Sequence, residues 1–476
     1  MNSAQDPATA QAWAALEGPA GLAENVSYEA HGSYPAQGSH AVQQVHAPQG
    51  ETARLLPARL PVRALARATV GVCSLAAAEL TALRRGAALP AVRVREEAVA
   101  TAFVSERLLR IDGRVPTSFA PLSGFWRTAD GWVRTHANYP HHRMRLLTAL
   151  GIPATGDGRA PTDALARELA SRTARQVQED VYAAGGLAVA VADGPSPERH
   201  PLVETRRIEG TPHALPPAEL PAAGVRVLDL TRVLAGPIAT RTLALLGADV
   251  LRIDTPRLPE DPESHADTGM GKRSTLLDLA APTDRKAFDE LLAAADVVVT
   301  GYRPGALDAH GLAPDALLER RPGLIVAQLC AWGWSGPWAK RRGFDSLVQA
   351  ATGIAAVEAS ADGHPGVLPA QALDHGTGYL LAAAVLRALT GRHVHGGGRH
   401  LRLSLTGTAG WLLHDIRPAP ADGGDDDRYD PEPWLVETPS RYGTLRHALP
   451  PVHYDGAPRT WRHPSTLWGT DRPAWE

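Results

Sequence analysis

The chain contains 476 residues, 21% of them charged, and its formal net charge at pH 7 is −3. A chain of this length is expected to form two or three domains with well-buried cores. The near balance of acids and bases argues against nucleic acid or an anionic membrane as a partner.

Targeting and redox features of the sequence predict a cytoplasmic protein. The first residues lack the basic stretch followed by an apolar stretch that marks a signal peptide. We also find no apolar run of the roughly 20 residues that a membrane span requires. The two cysteines, Cys73 and Cys330, lie in apolar stretches, which predicts buried, reduced thiols.

Residue patterns in the first 220 positions predict an extension followed by mixed helices and strands. Residues 1–50 are rich in Ala, Gly, Gln and His without clear periodicity, so we expect one short helix and otherwise loop or disorder. We next expect a helix over 60–83, a strand at the start of 91–103, two short strands around Asp130-Gly131 and a helix from about His141. Residues 162–186 are expected to be helical, 186–192 form an apolar run, and 194–220 form a Pro-rich connection.

From residue 225 onward, short β runs alternate with helical segments. The β runs lie at 225–230, 249–254, 296–302 and 324–332, with helical segments at 238–248, 284–295 and 315–321 between them. Alternation of this kind predicts a parallel sheet with helices on both faces. After Pro418 we expect an acidic loop and then a tail with little periodicity.

Two Ala-rich segments suggest an internal repeat. "SLAAAELTALRRG" (74–86) matches "LLAAAVLRALTGR" (380–392), and each is followed by a β-like run. Similar composition alone also explains such a match, so duplication and coincidence both stay open at this point. In the first copy, the position that corresponds to Asp374 falls near Ala68.

Several familiar ligand motifs are absent or incomplete. Asp254 ends the first βαβ unit where a dinucleotide fold places its ribose-binding acid, but the turn "TRVLAGP" lacks the G-x-G-x-x-G fingerprint. "TGMGKRS" fails as a phosphate-binding Walker loop, because Ala266 replaces the first glycine and Arg273 replaces Ser or Thr. His136, His141 and His142 have no cysteine or acid at ligand spacing, which favours surface or packing histidines over a metal site.

Asp374 opens the apolar helical stretch "ALDHGTGYLLAAAVLRAL" and has two interpretations. It is either an ordinary helix cap or a catalytic carboxylate. The two are compatible, because a cap accepts backbone N–H bonds and the helix N-terminus favours a negative charge. An ionised carboxylate is also the nucleophilic form. Gly376 and Gly378 leave room nearby for a substrate to approach.

Five stretches in a fixed order over residues 224–413 resemble the family III CoA transferases, which include formyl-CoA transferase, carnitine CoA-transferase and alpha-methylacyl-CoA racemase. These stretches are "GVRVLDLTRVLAGPIATRTLALLGADVLRID", "GKRSTLLDL", "ADVVVTGYRPGALDAHGL", "LIVAQLCAWGWSGPWAKRRGFDSLVQAATG" and "ALDHGTGY". Residues 121–153 resemble the family's small domain, which normally follows the catalytic part but here precedes it.

The resemblance implies an α/β fold, with a Rossmann-like parallel-sheet CoA-binding domain, a smaller α+β domain and a partial internal duplication. The implied domains are an extension (1–50), a degenerate partial copy (51–120), a small-domain-like module (121–215), the Rossmann-like catalytic domain (221–415) and an acidic loop with the C-terminal tail (416–476). A homodimer is a further expectation.

The resemblance also implies a CoA transfer reaction between an acyl-CoA donor and a carboxylic acid acceptor, without a metal. Asp374 would be the nucleophile, and CoA would become linked to it as an aspartyl thioester. The implied CoA contacts are Arg232, Val233, Ala235, Lys272, Gly301, Tyr302, Ala306, Arg342 and Phe344.

This sequence departs from the family at three positions, two at the nucleotide and one, Phe344, at the active site. Thr255 and Ala309 replace arginines that hold the nucleotide in formyl-CoA transferase, and Arg257 or Arg303 is a candidate substitute.

Phe344 replaces the histidine base of the racemases, and His375 is a weak candidate to replace it, since it need not face the site. The alternatives to a transferase are a racemase or isomerase of the same family and a non-catalytic acyl-CoA-binding protein.

Overall fold

The computed structural model describes residues 6–29, 53–116, 119–153, 159–417 and 428–476. Predictions for residues 30–50 and for most of the acidic loop lie outside these ranges. The α-helices are α1 (Pro7–Ala15), α2 (Val62–Arg85), α3 (Glu96–Ala102), α4 (Ser105–Leu108), α5 (Pro140–Ala149), α6 (Arg159–Ala170), α7 (Ala174–Ala183), α8 (Ala235–Leu245), α9 (Pro262–Thr268), α10 (Pro282–Ala294), α11 (Pro314–Arg320), α12 (Asp345–Ala351), α13 (Ile354–Val357), α14 (Ala372–His395) and α15 (Leu405–His414).

The strands of the described residues form one large sheet and several small ones. They are β1 (Val26–Glu29), β2 (Ala53–Arg54), β3 (Val92–Arg95), β4 (Arg110–Ile111), β5 (Phe125–Arg127), β6 (Trp132–Thr135), β7 (Ala188–Ala190), β8 (Glu204–Arg207), β9 (Arg226–Leu230), β10 (Asp249–Asp254), β11 (Arg273–Leu276), β12 (Val297–Thr300), β13 (Ile325–Cys330), β14 (Arg399–Ser404), β15 (Arg428–Tyr429), β16 (Leu435–Ser440) and β17 (Gly443–Ala448).

The large sheet has the strand order β11-β10-β9-β12-β13-β14-β8. Its first six strands are parallel, and β8 is antiparallel to β14. In β12, Val297 and Val299 pack into one apolar cluster while Val298 packs into a second. Because both faces of the sheet are covered, its central strands are apolar at successive positions. The predicted mixed α/β fold with a large, mainly parallel sheet is confirmed.

The strand order places the connections after β9 and β12 side by side, although they run to opposite edges of the sheet. In open α/β sheets, a ligand crevice forms at the carboxyl ends of two such strands. The Rossmann-like description of this domain stays a proposal.

Helices α2 and α14 pack against each other, and each has 24 residues. They contain the two segments of the predicted repeat. Helix α2 leads to β3 and then α3, and α14 leads to β14 and then α15. The shared order is what a duplication requires, but the duplication and the domain boundaries stay predictions.

Helix α2 is long and apolar enough to cross a membrane by length and composition, contrary to the sequence expectation that no segment is. However, 89% of its most apolar window is buried inside the fold. Its apolar character is therefore accounted for by core packing, with Ala68 fully buried.

Residues 119–153 and 159–190 contain the predicted strand pair β5–β6 and helix α5, joined by β7 into a three-stranded antiparallel sheet. Their apolar side chains form a separate core cluster. The two segments therefore build one small α+β unit.

Several strands were not predicted from the sequence, including β1 (Val26–Glu29), which lies in a stretch expected to be loop and pairs with β3, and two further strand regions. The Pro-rich connection contributes β8 to the edge of the large sheet, and the predicted tail contains the hairpin β16–β17, which pairs with β4. The tail strands were missed because they are rich in Thr, Glu, Arg and His instead of alternating apolar residues. They link the two halves of the chain through hydrogen bonds distant in sequence.

Candidate functional site

Two cavities meet at Asp374. The first has a volume of about 660 Å³, and we call it the acidic cavity because seven of its described lining residues are Asp or Glu. The second has a volume of about 190 Å³, and we call it the basic cavity because its described lining includes four arginines. Both cavities are lined by Tyr139, His141, Val233, Leu258, Phe344 and Asp374.

The basic cavity lies at the carboxyl ends of the parallel strands. The turn after β9, the turn after β12 and the end of β13 all line it. Eight of the predicted site residues meet here: Arg232, Val233, Ala235, Gly301, Tyr302, Arg342, Phe344 and Asp374. The turn after β9 includes Val233 at φ 71°, a left-handed conformation that is strained for a β-branched residue.

The surroundings of Lys272 do not support the predicted contact with the CoA phosphates. Its side chain is fully buried, and Nζ donates to Asp229 Oδ2 of β9 at 3.0 Å and to Thr240 Oγ1 of α8 at 2.9 Å. Lys272 lines neither cavity. Burial lowers the pKa of Lys272 to about 8, and the attraction of Asp229 offsets part of that effect. Its role in this fold is therefore structural.

Two other predicted contacts are limited by their surroundings. Ala306 lies in the turn beyond β12, where its N–H donates to the carbonyl of Arg303, and it is not among the residues that line the basic cavity. Arg232 lines the cavity, but its guanidinium donates to the carbonyls of Leu258 and Pro259 and pairs with Glu260 at 3.3 Å. It therefore fixes the loop over the site more than it offers a free charge.

Arg303 and Arg342 carry the uncompensated positive charge of the basic cavity. No ion pair is recorded for either side chain within the described residues. Burial and then the charges of Arg303 and Arg145 lower the pKa of Arg342. Arg257, the other candidate substitute for the missing arginines, lies at the acidic cavity instead and pairs with Asp278 at 2.6 Å.

Asp374 is the third residue of α14, and the predicted cap role belongs to another residue. The Asp374 side chain has no recorded hydrogen bond, whereas its N–H donates to Asp345 Oδ2 at 2.9 Å. Asp345, the first residue of α12, also accepts from Gln349 and from the N–H of Leu373. Asp345 therefore holds the first turn of α14, and the Asp374 carboxyl, 7% exposed, lines both cavities.

The ionisation of Asp374 also differs from the sequence expectation. Burial, then the charge of Asp345, then that of Glu106 raises its pKa well above the usual range. Burial raises the pKa of Asp345 to about 6, despite the hydrogen bonds it accepts. The two buried carboxyls oppose each other's ionisation. The sequence led us to expect that the start of the helix would keep Asp374 ionised. The raised pKa of Asp374 contradicts that expectation.

The glycines that follow Asp374 serve helix packing. A Cβ at Gly376 would approach Leu65 of α2 to 2.8 Å, and one at Gly378 would approach the Ala235 carbonyl oxygen to 2.6 Å. Both glycines let α14 lie close to its neighbours. The expectation that they make room for a substrate is therefore replaced by a packing role.

His375 is not among the described residues that line either cavity. Its ring stacks on Phe103 with 5.2 Å between centroids, and its Nε2 lies 3.1 Å from Glu106 Oε2. It therefore does not replace the base that Phe344 displaces. His136 stacks on Phe344 at 3.8 Å in the acidic cavity, but burial lowers its pKa to about 3, which makes it a poor base at neutral pH.

The first half of the chain contributes to the site, which was not predicted from the sequence. Glu106, Leu109, Pro116, Phe119 and Asn138 form part of the wall of the acidic cavity. No motif marks these residues, because the tertiary fold alone brings them beside Asp374. In the described ranges, no three His, Cys, Asp or Glu side chains are grouped to hold a metal ion.

Comparison with known proteins gave consistent matches. Residues 222–428 match the model of CoA-transferase family III. The acetyl-coenzyme A transferase nodX of Hypoxylon pulicicidum is 30% identical over 62% of this chain and 55% of its own length. A probable fatty acyl-CoA transferase of Mycobacterium tuberculosis is 36% identical over 37% and 48%. The succinate–glutarate CoA-transferase of Agrobacterium fabrum is 31% identical over 40% and 52%.

Solved structures were also matched. A CAIB/BAIF family protein from Brucella suis is 30% identical, with 40% of this chain and 55% of that chain covered and a TM-score of 0.39. The chain spans about half the length of the curated relatives it matches.

Proposed function

We propose that this protein transfers CoA from an acyl-CoA to a carboxylic acid through Asp374, on the premise that residues 222–428 match the model of CoA-transferase family III. The observation that carries the proposal is the position of the Asp374 carboxyl. It has no recorded hydrogen-bond partner and lies where a basic cavity and an acidic cavity meet. A nucleophile needs a free oxygen, and a thioester needs space on both sides of its carbonyl carbon.

The proposed reaction consists of four balanced steps. A carboxylate oxygen of Asp374 attacks the thioester carbonyl, and CoA thiolate leaves as a mixed anhydride forms. The thiolate then attacks the Asp374 carbonyl carbon, which releases the donor acid and leaves CoA linked to Asp374 as a thioester. The acceptor carboxylate attacks this thioester. CoA thiolate departs, and a second mixed anhydride forms between Asp374 and the acceptor. The thiolate attacks the acceptor's carbonyl carbon, which regenerates Asp374.

The charges of the two cavities favour one orientation of the substrate. Arg303 and Arg342 provide a positive field in the basic cavity, which suits the phosphates of CoA. Helix α8 begins at Ala235 on the same cavity, without a side-chain cap at its N-terminus, and helix N-termini favour anions. The acyl group is then directed into the acidic cavity, and the thioester carbon lies at Asp374.

Trapping the aspartyl intermediates tests this proposal. The protein is mixed with several acyl-CoAs and an acceptor acid in the presence of hydroxylamine, and peptides are analysed by mass spectrometry. We expect a hydroxamate at Asp374 that requires acyl-CoA. Tight acyl-CoA binding without modification would instead support a non-catalytic binding protein, and modification at another residue would assign the nucleophile elsewhere.

The pH dependence of transfer should reflect the coupled carboxyls. Because only ionised Asp374 attacks, and its pKa is raised, kcat/KM should rise with pH on a limb that lies above the ordinary range of aspartate. Asp345→Asn removes the neighbouring charge but keeps an oxygen for the helix cap. It should shift this limb to lower pH, by about one unit. An unshifted limb would show that Asp345 does not control Asp374.

Arg342 should contribute to CoA affinity. We expect Arg342→Gln to weaken CoA binding about tenfold, equivalent to roughly 1.4 kcal/mol, because one charge-assisted phosphate contact is lost. Isothermal titration calorimetry measures the affinity. Arg206→Gln is a matched control, since Arg206 lies on the edge strand β8, pairs with Asp315 and lines neither cavity. Equal effects of the two substitutions would contradict the assignment.

A further inference from the structure

We propose that the acyl group handled by this protein derives from an apolar monocarboxylic acid. We also propose that the acidic cavity rejects acyl groups that carry a second carboxylate. The inference rests on the proposed function and names the substrate class of the same site.

The acyl side of Asp374 has a negative field. Asp345 and Glu106 lie close enough to raise the pKa of Asp374, and both line the acidic cavity with it. Glu106 pairs with the buried His375 and lies 3.8 Å from Arg107, which is at the surface and does not line the cavity. A second carboxylate on the acyl chain would enter this field and lose its hydration as well.

Two buried arginines behind the cavity wall are already neutralised. Arg252 pairs with Asp254 and Glu260, and Arg241 pairs with Asp267 at 3.0 Å. Neither arginine is among the residues that line the acidic cavity. These two arginines therefore offer no unpaired charge to a second substrate carboxylate.

Arg257 is the one Lys or Arg among the described residues that line the acidic cavity. Its side chain is 68% exposed and pairs with Asp278 at 2.6 Å. Nearby, Asp261 and Glu263 add two more carboxylates to the lining. A solvated, already paired guanidinium contributes little to the binding of another anion.

The remaining lining is apolar and the cavity is large. Leu109, Pro116, Phe119, Val233, Leu234 and Leu258 line it. Its volume of about 660 Å³ lies within the range of about 300–1,000 Å³ that holds drug-sized ligands. Burial of a branched or extended hydrocarbon there is favourable at about 0.8 kcal/mol per CH₂.

Two thioesters of nearly equal shape compare a terminal carboxylate with an apolar group. Glutaryl-CoA ends in a carboxylate, and 5-methylhexanoyl-CoA carries an isopropyl group in its place. Their affinities are measured by calorimetry on the full-length Asp374→Asn variant, which cannot turn them over. We expect 5-methylhexanoyl-CoA to bind at least about tenfold more tightly, and equal or tighter binding of glutaryl-CoA would overturn the proposal.

Two further variants test whether the cavity charge causes the preference. Glu106→Gln removes one charge while its amide oxygen can still accept from His375, so we expect the ratio of affinities to fall. Glu290→Gln, an exposed substitution on α10, should leave the ratio unchanged. A ratio unaffected by Glu106→Gln would contradict the role given to Glu106.

The two proposals can fail separately. If the wild-type protein forms the Asp374 adduct from both thioesters at equal rates, CoA transfer stands and the substrate class is wrong. If the preference in binding is found but neither thioester modifies Asp374, the cavity's selectivity stands and the proposed reaction is wrong.

Discussion

Asp374→Asn is expected to lose nearly all CoA transfer while the protein stays folded and binds CoA as before. The amide is a very poor nucleophile, so neither the mixed anhydride nor the aspartyl thioester should form. The fold should survive because Asp345, and not Asp374, accepts the N–H bonds at the start of α14. Steady-state kinetics and hydroxylamine trapping measure the loss, and calorimetry measures CoA affinity.

The same variant should be more stable than the wild type at pH 8. Both carboxyls have raised pKa values in the folded state, whereas an unfolded aspartate has a pKa of about 3.9. The stability contributed by their protonated forms is complete below that value and is lost as pH rises through the folded pKa, about 6 for Asp345. Asn removes this loss at position 374.

Thermal denaturation at two pH values checks the sign of this effect. We expect Asp374→Asn to raise the Tm by at least about 2 °C at pH 8, and the gain should disappear near pH 4. Asp345→Asn is the control, because it also removes one of the two coupled carboxyls but leaves the nucleophile in place. This variant should still transfer CoA. An Asp374→Asn variant that transfers CoA at close to the normal rate would place the nucleophile elsewhere.

The sequence predicted the elements whose pattern is local. The β run at 249–254 became β10 (Asp249–Asp254), and the turn at Asp130-Gly131 separates β5 from β6. Buried parallel strands have continuous apolar runs, so they are visible without knowledge of their neighbours. The convergence of Arg232, Tyr302, Arg342 and Asp374 on one cavity agrees with the site that the family resemblance implied.

The interactions that the sequence did not predict depend on residues that are distant in the chain. Asp345 and Asp374 are 29 residues apart, and Glu106 and His375 are 269 apart. No spacing rule connects such positions, so the coupling of the two carboxyls was invisible. The cap expectation failed for the same reason, because the acceptor at the start of α14 comes from α12.

The surroundings of Lys272 differ from those that the family resemblance implied. The family resemblance of "GKRS" implied a contact between Lys272 and the CoA phosphates. In the fold, however, the side chain of Lys272 donates to Asp229 of β9, which also accepts from Thr231 and Thr240. Both charges are fully buried, at 3.0 Å from each other.

Lys272→Met should therefore act on stability and not on CoA binding. Removal of one partner leaves Asp229 as an uncompensated buried charge, and the cost of breaking a buried pair is about 3–5 kcal/mol. That is a large share of a typical unfolding free energy of about 5–15 kcal/mol. We expect a much lower midpoint in urea denaturation, followed by circular dichroism.

A double-variant cycle separates the buried pair from any contact with CoA. Lys272→Met combined with Asp229→Asn should recover much of the lost stability, because Asn carries no charge yet keeps an oxygen for the hydroxyls of Thr231 and Thr240. Both variants, measured under conditions where they are folded, should bind CoA with the affinity of the wild type, since Lys272 lines neither cavity. A Lys272→Met protein that kept its stability but lost CoA affinity would restore the phosphate contact and require Lys272 to reach the basic cavity when CoA binds.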